Sequence, residues 1–148
     1  GAIARKYLKE QLGIKIYGYL AQLGPLELGA QDVDVVNDNP FFCADPERLD
    51  ELEKFMDDLR KAGDSVGARI NIVAARVPPG LGEPVFDKLD AELARALMSL
   101  PAAKGIEIGS GFAGTLMTGR EHNDPFVPGV DGRPSTTTNN RSLCCTIS

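Results

Sequence analysis

Residues Pro78–Leu100 read PPGLGEPVFDKLDAELARALMSL, a Pro/Gly loop running straight into an amphipathic segment. Gly80 and Gly82 permit backbone angles that a Cβ resists, and Pro84 suits the first turn of a helix. Phe86, Leu89, Leu93, Leu97 and Leu100 then recur at steps of three or four, which predicts one apolar helical face over 84–100, stopped by Pro101. A tightly turned loop held against a buried helix shapes a site or fills a confined corner.

Working outward, Gly1–Leu12 has helical spacing with Gly13 as its stop. The chain therefore opens inside a helix, and the reading is of a fragment. Ile14, Ile16, Gly18 and Leu20 alternate with Lys15, Tyr17 and Tyr19, which predicts a strand. Residues 24–42 are rich in turn-formers and acids and read as an excursion over the surface. Asp45 is placed to N-cap a helix with Pro46 at its first position; Leu49, Leu52, Phe55, Met56 and Leu59 make its stripe, and Gly63 ends it.

Ala68–Val77 and Lys104–Ile108 alternate as strands. Phe112–Thr118 is read as a further strand after a Gly109-Ser110-Gly111 hairpin turn. The order helix, strand, helix, strand, helix, strand, strand predicts an α+β layer arrangement. From Gly119 the apolar period is lost and prolines and glycines recur, which predicts an exposed, mobile loop. The organisation expected is a partial α+β domain over 1–118, followed by a flexible loop and divergent tail over 119–148.

The 148 residues suit one modest core or part of a larger one, and 43% hydrophobic with 25% charged residues is ordinary for a globular chain. A net charge of −5 counts against a general nucleic-acid binder. No apolar run is long enough to span a membrane. The three cysteines, Cys43, Cys144 and Cys145, are odd in number and spaced for neither a disulfide framework nor a zinc site, which points to a cytoplasmic chain. Cys43 reads as a small buried hydrophobe.

Candidate chemistry is sparse. His122, the only histidine, fits an acid or base, and equally a turn histidine on a solvated loop; alone it is no metal site. Gly63-Asp64-Ser65-Val66-Gly67 fits a phosphate cradle, or a helix stop followed by a turn; it lacks the lysine of a P-loop. Gly109–Gly114 holds no full dinucleotide fingerprint. Asp50, Glu51, Glu53, Asp57 and Asp58 lie off the apolar stripe among Lys54, Arg60 and Lys61, as a solvated face does. Asp87, Asp90, Glu92 and Arg95 read likewise, with Asp87 also placed to tie the Pro/Gly loop. The residues alone support a soluble α+β domain with one rigid loop and no complete catalytic set.

Five segments in register carry a resemblance: GAIARKYL at Gly1–Leu8, NPFFCADPERLDELEKFM at Asn39–Met56, GDSVGA at Gly63–Ala68, the run from Pro78 to Gly114, and EHNDPF at Glu121–Phe126. Together they resemble the middle portion of the chorismate synthase family, from Gly1 to about Asn140. The resemblance implies part of a β–α–β sandwich, with helices packed against antiparallel sheet, in a homotetramer. It also implies a lyase that converts 5-enolpyruvylshikimate 3-phosphate to chorismate and phosphate by anti 1,4-elimination with reduced FMN. The family's catalytic histidines and arginine clusters would precede Gly1, and its later flavin and Arg-His-Asp-Pro segments would follow Ser148. Asn139 and Asn140 match a position that touches FMN in the family. Arg141–Ser148 has no counterpart there. Three readings follow: an inactive segment of that lyase, a self-associating scaffold without its own ligand, and a phosphate module on Gly80–Pro84 or Gly63–Gly67.

Overall fold

The computed structural model describes residues 1–78, 81, 85–123, 125–129, 134–136 and 144–147. The first helix, α1 (Ala2–Leu12), ends where Gly13 turns left-handed and its amide reaches the Lys9 carbonyl at 3.1 Å. β1 (Lys15–Leu23) follows, with a short return strand β2 (Leu26–Glu27). The second long helix, α2 (Leu49–Ala62), leads into β3 (Ala68–Ala75), which pairs antiparallel with β1.

The register sets the sheet's faces. Ile16 opposes Ala74, Gly18 opposes Ile72 and Leu20 opposes Ile70, so one face is apolar as the alternation predicts. At Ala21 an irregularity shifts the pairing, and Gln22 then opposes Arg69 while Leu23 opposes Ala68. One inserted residue lets Leu20 and Leu23, three apart, share the inner face.

Against that face the core gathers Leu20, Leu23, Cys43 and Leu52, with Leu49, Phe55 and Met56 packed around them. The stripe expected on α2 is therefore the buried one, and Gly63 caps the helix at a φ of 66°. Cys43 is fully buried, as its reading required. The excursion between β1 and α2 holds a 3-10 turn at Asp34–Asp38, and Leu20 meets Cys43 in a parallel bridge.

Further along lie α3 (Leu89–Met98), β4 (Ile106–Ile108), α4 (Gly119–His122), β5 (Phe126–Pro128), β6 (Pro134–Thr136) and β7 (Cys144–Ile147). The main sheet has the order β2-β1-β3-β7-β4, and β5 and β6 form a separate hairpin. Every strand pair is antiparallel. Helices with antiparallel sheet make the α+β class expected.

Four local expectations are corrected. The helix expected over 84–100 begins at Leu89, because Asp87 is left-handed (φ 56°) and Lys88 is extended. Phe86 thus falls outside the helix and is 83% exposed. Asp45 gives no side-chain cap; Pro46–Arg48 form a 3-10 turn and its carboxylate bonds the Gly29 amide instead. The strand expected at Phe112–Thr118 is a 3-10 helix over Gly111–Leu116, closed by Met117 N–H on the Gly114 carbonyl at 3.2 Å. Its alternation marked no buried face, since Leu116 is 89% exposed. Beyond Gly119, where no element was expected, α4 and three strands form. Their pairings are short or distant in sequence, so no local period announces them.

Candidate functional site

Leu81 and α3 border an apolar chamber. Leu89, Leu93 and Leu97 of α3 face Leu8 of α1, Ile14 just before β1, and Ile16, Ile72 and Ala74 of the sheet, around a cavity of about 240 Å3. Among the described residues no polar group lines it. Gly80, Gly82 and Pro84 lie outside the described residues. Asp87 is exposed, and among the described residues it makes no hydrogen bond; its part in the loop is the left-handed turn of its backbone.

Two other hollows are bordered by both β1 and β3. One of about 360 Å3 runs along the inner face, with Phe41 and Phe42 at its side and Arg5 as its charged lining residue. The other, about 630 Å3, is bordered by Gln22, Arg69 and Lys104 with small residues between. Arg69 Nε is shielded from solvent there, without a hydrogen-bond partner among the described residues. The chamber would leave an anionic group without partners, which is costly. The Arg69 cleft has no aromatic ring to stack on a flavin, and the Phe41 hollow has one cation. The described residues therefore do not by themselves fit FMN.

His122 is less isolated than a solvated turn histidine. Its Nε2 lies 2.8 Å from Ser110 Oγ, and the ring packs so closely on Gly114 that a Cβ there would sit 3.4 Å from Nε2. The pair fastens α4 to the turn after β4. The helix itself starts with a capping box. The Glu121 amide donates to Thr118 Oγ1, and Glu121 Oε2 accepts from the Thr118 amide and hydroxyl, both at 2.8 Å. The Thr118 amide first, and its hydroxyl second, hold the Glu121 carboxyl below its ordinary value. With no third group ordering the imidazole among the described residues, the Ser110–His122 contact is a tether.

Gly63–Gly67 follows the bland reading: Gly63 caps α2, and Asp64 Oδ1 takes the Ser65 amide in a turn. The acids of α2 are exposed, and three of them are paired: Glu51 with Arg48 at 2.6 Å, Asp57 with Arg60 at 2.8 Å and Asp58 with Lys61 at 3.7 Å. Glu92 and Arg95 pair likewise on α3. Among the described residues no cluster of His, Cys, Asp and Glu could hold a metal, and no helix is long and apolar enough to cross a membrane. Asn139 and Asn140 lie outside the described residues.

Asn39, which sequence reasoning passed over, and Asp45, read there as an N-cap, organise the excursion before α2. Asp45 is 4% exposed; Oδ2 accepts from Gly29 N–H at 3.2 Å, while Oδ1 is buried without a partner. Asn39 uses its amide group on both sides, joining Val35, Phe41 and Cys43. A polar residue before a proline in an acid-rich run gives no sign of either role.

Comparison with known proteins follows this geometry closely. The family model described as chorismate synthase matches residues 1–142. Chorismate synthase of Azoarcus sp. (strain BH72) is 57% identical over 128 residues, covering 86% of this chain and 34% of that protein. The Nitrosomonas eutropha chorismate synthase is 56% identical over 128 residues, 86% of this chain and 33% of its own length. A crystal structure of chorismate synthase superposes with a TM-score of 0.88 at 25% identity, over 99% of this chain and 52% of that one. The chain spans about a third of the length of the curated relatives it matches.

Proposed function

Because the chain belongs to the chorismate synthase family, we propose that it is a scaffold segment of a carbon–oxygen lyase acting on 5-enolpyruvylshikimate 3-phosphate. The parent releases chorismate and phosphate by anti 1,4-elimination, a step of aromatic amino acid biosynthesis. In the parent, reduced FMN would be the cofactor of that elimination. The family match over residues 1–142, at 57% identity to the Azoarcus enzyme, is the single observation that carries this reading.

This segment's own part is positional. Its sheet and helices hold a frame, and Asn139 and Asn140, which match a position that touches FMN in the family, are assigned as its flavin contacts. The cations that bind the departing phosphate, and the groups that move protons, come from other parts of the parent. The parent works in the cytoplasm as a homotetramer, with no nucleic acid and no membrane partner. The division into a frame over 1–118 and a trailing segment over 119–148 belongs to the same proposal.

Grafting tests it. Residues 1–140 replace their counterpart in the Azoarcus enzyme, and chorismate formation is followed with reduced FMN and substrate. A chimera within about tenfold of the parent's kcat/KM is expected, a loss of no more than about 1.4 kcal/mol in transition-state stabilisation. A folded chimera without turnover would refute the reading. The 148-residue chain alone is expected to give no chorismate and to bind FMN negligibly.

A second reading is favoured by one observation: Ile3, Tyr7, Phe86, Phe112, Leu116 and Phe126 are all well exposed. Apolar groups left open in this number favour self-association. Size-exclusion chromatography decides, since a stable monomer at high concentration would dismiss it.

A further inference from the structure

Family membership accounts for residues 1–142, yet the strand that closes the main sheet lies beyond them. β7 runs between β3 and β4 and pairs with both. Ile147 opposes Ile70 on one side and Ile106 on the other, Thr146 opposes Asn71 and Glu107, and Cys145 opposes Ile72 and Ile108. Among the described residues β4 has no other strand partner. Without β7, both β4 and the inner edge of β3 would present unpaired amides and carbonyls, an open template for an extended chain.

We propose that the gap between β3 and β4 is a strand-acceptor slot, that residues 144–147 fill it in cis, and that it selects its occupant by main-chain hydrogen bonds with little regard to side chains. A slot of this kind accepts a segment outside the family match because the ladder groups of a strand are the same in every residue but proline. β4 spans only Ile106–Ile108 and cannot stand alone. The closing strand therefore orders β4 and, through it, the turn that carries Ser110 toward His122.

Amide hydrogen exchange on the full 148-residue chain tests this with two variants. In the first, Cys145→Pro removes one ladder donor. In the second, Cys144→Val, Cys145→Thr, Thr146→Val and Ile147→Thr together change every side chain and keep every amide. Cys145→Pro is expected to speed exchange in 104–109 at least about tenfold while α2 keeps its protection. The fourfold variant is expected to exchange in 104–109 as the parent does. Unchanged protection of β4 in Cys145→Pro would overturn the proposal. So would loss of β4 protection in the fourfold variant. If α2 also lost protection in Cys145→Pro, β7 would be part of one cooperative core and the slot would be refuted.

Discussion

Asn39 and Cys43 exchange two hydrogen bonds: the Cys43 amide donates to Asn39 Oδ1 at 3.0 Å, and Asn39 Nδ2 donates to the Cys43 carbonyl at 2.9 Å. The same carboxamide also takes the Phe41 amide and reaches the Val35 carbonyl. One side chain thus stands in for a strand partner and bends the chain through Phe42, whose φ is 53°. The bend lets the Phe42 carbonyl meet the Leu20 amide at 2.9 Å and sets Cys43 in the core beside Leu20 and Leu52.

Replacing Asn39 separates donor from acceptor roles. Asn39→Asp keeps the shape and the acceptor but turns an oxygen toward the Val35 and Cys43 carbonyls. It is expected to destabilise at least as much as Asn39→Ala, by about 2–3 kcal/mol, since buried carbonyls then face a charge or lose their donor. Urea unfolding measures both, and an Asp variant milder than Ala would contradict the assignment of donor and acceptor.

Leu52 is fully buried at the centre of the cluster formed with Leu20, Leu23 and Cys43. Truncation to Ala leaves a cavity between α2 and the sheet that neighbours fill only in part. A loss of about 3 kcal/mol is expected, against less than about 1.5 kcal/mol for Leu52→Met. Thermal or urea unfolding of the pair checks the ratio.

How far the sequence disclosed this fold varies from element to element. The stripe of α2 was plain because five apolar residues at helical spacing and a following glycine are all local signals. The faces of β1 and β3 were equally plain from alternation. The start of α3 was misplaced because Phe86 kept the period while the backbone at Asp87 broke it, and a period cannot report a dihedral angle. Phe112–Leu116 alternated without burying anything. β7 was hidden because its partners Ile70 and Ile106 lie far away in sequence. For the site, Asn139 and Asn140 came from resemblance alone; Asn39 went unseen and Asp45 was read as a helix cap, because their partners are assembled only by folding.

At Gly24, where the chain leaves β1, φ is 55° and the space for a Cβ is already taken: Val66 Cγ2 would lie 2.6 Å away and Phe55 Cζ 3.2 Å. Gly24→Ala therefore meets both a left-handed backbone and a side-chain clash. The two together are expected to cost about 2–3 kcal/mol. Val66→Ala in the same chain removes the closest contact and is expected to return part of that loss. A double-mutant cycle without such coupling would place the strain in the backbone alone.

The Thr118–Glu121 box gives the chain a defined response to acid. Hydrogen bonds from Thr118 favour the ionised carboxylate, so Glu121 titrates below its ordinary value of 4.5 in the folded state. A carboxyl depressed by folding contributes stability that is present above its unfolded value and is lost as pH falls through the folded one. The Thr118–Glu121 capping box should therefore loosen only under clearly acid conditions. Thr118→Ala removes the hydroxyl and leaves the amide, which is the larger cause of the shift. Carboxyl NMR titration of that variant is expected to show Glu121 moving up by the smaller part of its displacement. A full return to the ordinary value would mean that the hydroxyl, and not the backbone amide, holds the charge.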